Sequence, residues 1–301
     1  MDSLNLLPYI FVLLAAMLWG TTGTTQTFLV EGISSIAVAA TRSLIGGGVL
    51  LIAALAMRKI HFKKWSWKWT ILAALTIALF QSLFFTSIRF TGVAVGTVVT
   101  IGSSPVFSGI IEWIFWKRKP SKVWGTATIL AIVGCILLFV NKGEATVDPF
   151  GILLALCAGV MFAIYTNCSK QLTEKEETLP AVAMTFTLCA ILLIPFSQDG
   201  VTWVFSEQNL YPMLFMGLAT TSLAYILYLG GLEKISSSSA VTLSLAEPLT
   251  ASLLGVFIVK EYLSPISWIG VAMLLGGIIV LTLGGRKAPV KDDSPSADTI
   301  K

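Results

Sequence analysis

The chain has 301 residues, 55% of them apolar and only 12% charged, with a mean hydropathy of +0.85. Soluble domains average about 25% charged residues, so a wholly soluble enzyme or binding module is excluded and the lipid bilayer is the expected solvent. The net charge of +4 points to no nucleic-acid partner, because the basic residues are sorted by loop rather than gathered into one patch.

A bilayer core about 30 Å thick takes about 20 apolar residues of helix. Ten runs of about that length are predicted, in chain order Pro8–Leu29, Ile33–Met57, Trp69–Ile88, Val93–Trp116, Val123–Val140, Phe150–Ser169, Pro180–Phe196, Asn209–Gly230, Ser237–Val259 and Pro265–Gly284. The first follows MDSLN, which is acidic rather than basic, and no small-residue cleavage site separates it from the second, so it reads as a helix and not a signal peptide. The connections are short, and one membrane domain accounts for the whole chain. Beyond Gly285 the stretch RKAPVKDDSPSADTIK mixes charge, Pro and Ser and is expected to be disordered. Cys135, Cys157, Cys168 and Cys189 fall inside predicted runs without CxxC spacing, so neither a disulfide framework nor a metal or cofactor site is expected.

Lys and Arg near helix ends set membrane orientation. One set of alternate loops holds Arg58, Lys59, Lys63, Lys64, Lys68, Lys117, Arg118, Lys119, Lys122, Lys170, Lys175, Lys234, Arg286, Lys287, Lys291 and Lys301. The other holds only Arg89, Lys142 and Lys260, together with Glu31, Glu144, Asp148, Asp199, Glu207 and Glu261. Both termini are therefore expected in the cytoplasm, in a multi-pass protein of the cell membrane. KIHFKKWSWKW reads as a cytoplasmic anchor with interfacial Trp, not as a nucleic-acid patch.

The chain also matches itself at an offset of 143 residues: Trp19-Gly20 falls on Phe162-Ala163, Pro105 on Pro248, Lys117 on Lys260 and Gly134 on Gly277. Each half has five runs, an odd number, so the second copy enters the membrane upside down. The expected fold is an all-α integral membrane protein, ten transmembrane helices as two inverted five-helix repeats, with residues 1–143 and 144–285 as the halves and 286–301 as a tail. A site at the interface of such repeats is exposed to either side by rocking, which is alternating access.

LLAAMLWGTTGTT, the Ser-Pro-Val-Phe of the fourth run and SLAEPLTASLLGVFIVKEYLSPISWIGVAMLLGGIIVL together resemble the drug/metabolite transporter superfamily, and EamA-type permeases in particular. The resemblance spans roughly residues 8 to 284 and implies a ten-helix carrier, commonly an exporter of amino acids or other metabolites. The first half departs from the pattern, with Lys117-Arg118 where the second has Lys260-Glu261.

An ionisable residue at membrane depth costs at least about 2.5 kcal/mol and is a functional candidate by default. Glu247 lies near the midpoint of the ninth run, and Pro248 after it removes a helix hydrogen bond. Arg42 lies near the midplane of the second run. If both line one cavity, Arg42 suits a carboxylate and Glu247 an ammonium, the pattern of a zwitterion; mutual neutralisation, or capping of broken backbone, is the equal alternative. Glu247 is also the candidate for coupling to protons. Glu112, close to Lys117, is placed at the interface or in a vestibule. Pro105 and Pro248, at matching positions of the halves, are expected helix breaks. Trp19, Thr22, Gln81, Phe85 and Ser104 from the first half, with Tyr165, Asn167 and Tyr225 from the second, could complete the pocket.

The remaining readings divide by class. A membrane enzyme lacks a base, since His61 is the only histidine and lies in a loop, and an aspartyl dyad is excluded because every Asp falls in a tail or loop. No GxxxxGK[ST] phosphate loop is present to couple nucleotide hydrolysis. A channel stays open as an alternative, as do an exporter of cationic or lipophilic amines and a flippase for a lipid-linked metabolite. The expected partners are a small-molecule substrate, the bilayer and protons.

Overall fold

A computed structural model describes residues 6–139, 148–197, 199–200, 202–259 and 262–284. Among these no strand occurs. Nine helices are long and apolar enough to cross a membrane: α1 Leu7–Gln26, α2 Ser35–Ala56, α3 Trp67–Val93, α4 Val95–Trp116, α6 Pro149–Thr173, α7 Thr178–Phe196, α8 Glu207–Leu232, α9 Ser237–Ile258 and α10 Pro265–Gly284. The remaining apolar helix, α5 at Lys122–Leu138, is shorter than the full span expected there. The tail, the predicted boundary at 143/144, and Lys142, Glu144, Lys260 and Glu261 lie outside the described residues. Large apolar side chains such as Ile52, Ile129 and Phe115 face outward at 66% exposure or more, as a lipid-facing surface requires.

Helix ends follow from local chemistry. Ser34 caps α2 by accepting from the Ala37 N–H, while its own N–H donates to Asp199 at 2.8 Å and holds that loop carboxyl below the usual carboxylate range. Asp148 caps α6, accepting from the Phe150 N–H, and Pro149 occupies the first helical position, where no N–H is needed. Between α3 and α4 the chain reverses at Gly92, whose φ of 76° and ψ of 164° are open to glycine alone. A Cβ on Gly96 would lie 3.3 Å from the Ser87 oxygen, nine residues back, which a straight helix would hold about 13 Å away.

The two prolines behave differently. Helix α4 continues through Pro105, so the break expected there is absent. Helix α9 is interrupted at Ser244-Leu245, just before Pro248, and resumes at Ala246. Pro248 has no N–H for the Ser244 carbonyl; the Glu247 N–H takes that acceptor instead, at 2.9 Å, tightening the turn.

Packing follows an exchange rule between halves. Helix α2 lies against α7, and α5 against α10; α1 packs on the end of α8 and on α9, while α6 packs on α3 and α4. The rule holds at residue level. A Cβ on Gly134 would sit 2.6 Å from the Leu274 nitrogen and 2.8 Å from the Gly270 oxygen; one on Gly277 would sit 3.0 Å from the Ala131 nitrogen and 2.8 Å from the Ala127 oxygen. The 143-residue offset carries Gly134 to Gly277, Ala127 to Gly270 and Ala131 to Leu274, so each contact has its partner under exchange, as in a two-fold interface.

Gly277→Val should therefore push α10 off α5 and lower thermal stability in detergent by about 1–3 kcal/mol. Gly48→Ala, where an added Cβ meets nothing within 4 Å, should leave stability unchanged or raise it. Equal unfolding temperatures for the two variants would contradict this packing.

Candidate functional site

The interruption of α9 puts Glu247 in the first turn of its second half, where the helix dipole favours negative charge. This carboxylate opens onto a cavity of about 960 Å³ walled by α1, α2, α3, α4, α6, α8 and α9. Of the residues expected in the pocket, Glu247, Arg42, Trp19, Thr22, Phe85, Ser104, Tyr225 and Pro248 line it. The walls include Phe80, Phe84, Ile101 and Phe162, which the sequence reading did not single out. For Phe162 a signal existed, since the repeat offset places it on Trp19.

Arg42 and Glu247 come from different halves, both are partly exposed to the cavity, and among the described residues no ion pair joins them. The guanidinium is held from behind. Gln81, 1% exposed, accepts from Arg42 Nε at 3.2 Å and from Nη2 at 2.7 Å, and its own amide donates to Cys189 Sγ at 3.4 Å. Gln81 is thus a support for Arg42 and not part of the cavity lining. The guanidinium N–H groups that Gln81 does not take are available to an anion.

The other expected residues lie elsewhere. Tyr165 is fully buried, packing on Phe162 and on Tyr225 at ring distances of 6.1 and 5.9 Å. Asn167 donates to Ser108 Oγ and the Ala163 carbonyl, tying α6 to α4. Glu112 is no vestibule residue: it is 5% exposed, and its two oxygens accept from the Ser237 and Ser238 N–H groups at the start of α9. Lys170, counted as a loop lysine, is buried in α6 and donates to the carbonyls of Leu232, Glu233 and Ile235.

The cavity has a direction. Its exposed lining includes Thr27 and Val93, at the end of the bundle where α1 finishes and α2 begins. Toward the opposite end it stops at an aromatic floor, with Trp19 against Tyr225 at 4.8 Å and Tyr228 at 5.0 Å, and Phe186 against Tyr225 at 4.2 Å. Beneath that floor the loops are joined by Lys59 to Glu177 at 2.5 Å and by the Ser66 N–H to Glu176 at 2.8 Å, as the loops of the other end are joined by the Ser34 N–H to Asp199 and the Val30 N–H to Asn209 at 2.9 Å. A small molecule with one anionic and one cationic group, and an apolar part for the Phe and Trp walls, finds complementary chemistry here.

Residues 6–140 and 149–283 each match the EamA-like transporter family. The chain is similar to the uncharacterized transporter YwfM of Bacillus subtilis, 45% identical over 279 residues that cover 92% of this chain and 94% of the relative. It is 25% identical to the uncharacterized inner membrane transporter YicL of Salmonella typhimurium, over 92% of this chain and 95% of that one. Protein PecM of Dickeya dadantii is 26% identical over 97% and 98% of the two chains. A solved crystal structure shares the fold at a TM-score of 0.80 and 18% identity, covering 93% of this chain and 97% of that one.

Gln81→Leu leaves two partly buried guanidinium N–H groups without their acceptor and should cost about 1 kcal/mol. Adding Arg42→Met should recover part of that loss, giving a coupling of about 1 kcal/mol in a double-mutant cycle of detergent unfolding. Strict additivity would show that Gln81 does not support Arg42.

Proposed function

The chain belongs to the EamA-like transporter family, and on that premise we propose that it is a secondary transporter moving a small zwitterionic metabolite, an amino acid or a close relative, by alternating access of two inverted five-helix halves. The observation that carries this reading is the pair Arg42 and Glu247, of opposite sign, from opposite halves, open to one cavity and not paired with each other. Charges at membrane depth are normally paired or functional. A carboxylate bound at Arg42 and an ammonium at Glu247 neutralise both at once.

The exchange rule in the packing supports the inverted arrangement. Helix α5 fits as a tenth span, because its length of about 25 Å lies within the mismatch a bilayer absorbs by thinning. The loop charge bias supports cytoplasmic termini, which put the cavity mouth on the far side of the membrane. Glu247, facing the substrate path, is the group through which proton binding would be coupled to transport. A cationic amine is the weaker fit, because Arg42 stands in the same cavity.

Radiolabelled amino-acid counterflow in proteoliposomes tests the reading. The intact protein should exchange saturably, and Glu247→Gln and Arg42→Gln should each weaken exchange by about tenfold or more, as loss of a buried charge contact does. Should folded, intact protein exchange no amino acid, or should Arg42→Gln leave exchange untouched, the zwitterion reading falls.

A further inference from the structure

Two buried charged side chains, Glu112 and Lys170, lie near helix ends and outside the cavity lining. Glu112 on α4 satisfies the first two N–H groups of α9, at 3.2 and 3.1 Å, and the Ser236 hydroxyl takes the third, from Ser239, at 3.1 Å. Lys170 on α6 spends all three of its N–H donors on the end of α8 and the turn after it, at 2.6, 3.1 and 3.2 Å. The α8–α9 turn is thus gripped from both sides by ions, an anion on the helix start and a cation on the helix end, the arrangement the helix dipoles favour. Glu233 in the same turn also accepts from the Thr178 hydroxyl. This turn sits at the closed end of the bundle: Gly231 lies against Pro8 and Val12 near the start of α1, away from the cavity mouth.

The repeat identifies the matching positions at the other end. The offset of 143 carries Glu112 to Gly255, Lys170 to Thr27, and Ser237 and Ser238 to Ala94 and Val95, beside the Gly92 turn. Gly255 and Thr27 both line the cavity, and the Thr27 hydroxyl donates to the Thr24 carbonyl at 2.8 Å. Residues that bond the α8–α9 turn therefore correspond to uncharged residues of the cavity lining.

We propose that Glu112 and Lys170 form a one-sided latch of the transport cycle, holding the α8–α9 turn closed while the matching positions at the other end, Gly255 and Thr27, carry no charge, so that the empty protein rests with its mouth open on the Thr27–Val93 side. This deepens the alternating-access reading and rests on it. Glu112 is the more informative of the two, because its bonds join the first half to the second, whereas those of Lys170 lie within the second half. The latch also sets the order of events. An empty carrier waits open on one face, and opening the other requires breaking charge-assisted bonds that substrate binding must help to offset.

Hydrogen–deuterium exchange of the intact protein in lipid nanodiscs tests this. Peptides over 230–245 report the closed end and peptides over 86–98 the mouth. Glu112→Gln and, independently, Lys170→Met should raise exchange at 230–245 by about tenfold, the effect of losing a charge-assisted bond, and lower it at 86–98, because opening one end closes the other. General destabilisation raises both segments. If both rise, or if 86–98 does not change, Glu112 is a helix cap and the latch is overturned. Adding the amino acid that exchanges in counterflow separates the two ideas. Reciprocal movement in the intact protein with no shift from either variant refutes the latch alone, whereas segments that never move in opposite directions in any of the three proteins refute alternating access as well.

Discussion

Inside a bilayer no water is available to backbone N–H and C=O groups, so each must find a partner in the chain. That constraint makes every described span a helix, and it restricts irregular backbone to places where protein or a cavity supplies the missing bonds. The interruptions here obey it. At Ser244-Leu245 the Glu247 N–H takes the carbonyl that Pro248 cannot serve, and the freed turn faces the cavity. In α8 the wide stretch Leu218–Leu223 has hydroxyls that return to the chain, Thr221 to the Met216 carbonyl and Ser222 to Gly217, with Ser222 also reaching Gly46 across in α2.

The same constraint sorts the charges. Glu112 and Lys170 are buried because helix ends at depth leave orphan N–H and C=O groups, and a carboxylate or an ammonium satisfies several of them at once. Arg42 is half satisfied, by Gln81 behind it, with the rest of its fork turned to the cavity. Glu247 lines the same cavity. Two of the four charges thus bond the α8–α9 turn, and two line the cavity. Structure and function here draw on one budget of intramembrane charge.

Duplication adds geometry to this. Because contacts between halves pair Gly134 with Gly270 and Leu274 and, by exchange, Gly277 with Ala127 and Ala131, the scaffold is close to symmetric, while its functional groups are not. Arg42 corresponds to Thr185 and Glu247 to Ser104. In the proposed cycle an asymmetric set of charges on a near-symmetric frame would give one state preference over the other, since identical ends would leave neither preferred.

Much of this was legible in the linear chain. Apolar run length gives the spans, because bilayer thickness is fixed; the constant offset from Pro105 to Pro248 exposes the repeat; and the cost of burying charge singles out Arg42 and Glu247. What the sequence could not decide was direction and distance. Equivalent prolines lie in α4 and α9, yet only one helix breaks, because neighbouring packing decides whether the orphan carbonyl is tolerated or the chain turns. Gln81, Tyr165 and Asn167 lie at the right depth but face protein rather than the cavity, since a helix presents all sides to its neighbours and depth alone does not fix the azimuth. Glu112 resembles an interfacial residue until α9 is seen to begin against it. The sequence by itself determined that this is a membrane-spanning helical duplicate with charges in its spans; only the tertiary structure decided which of those charges bond helix ends and which face the cavity, because that depends on contacts between residues on different helices.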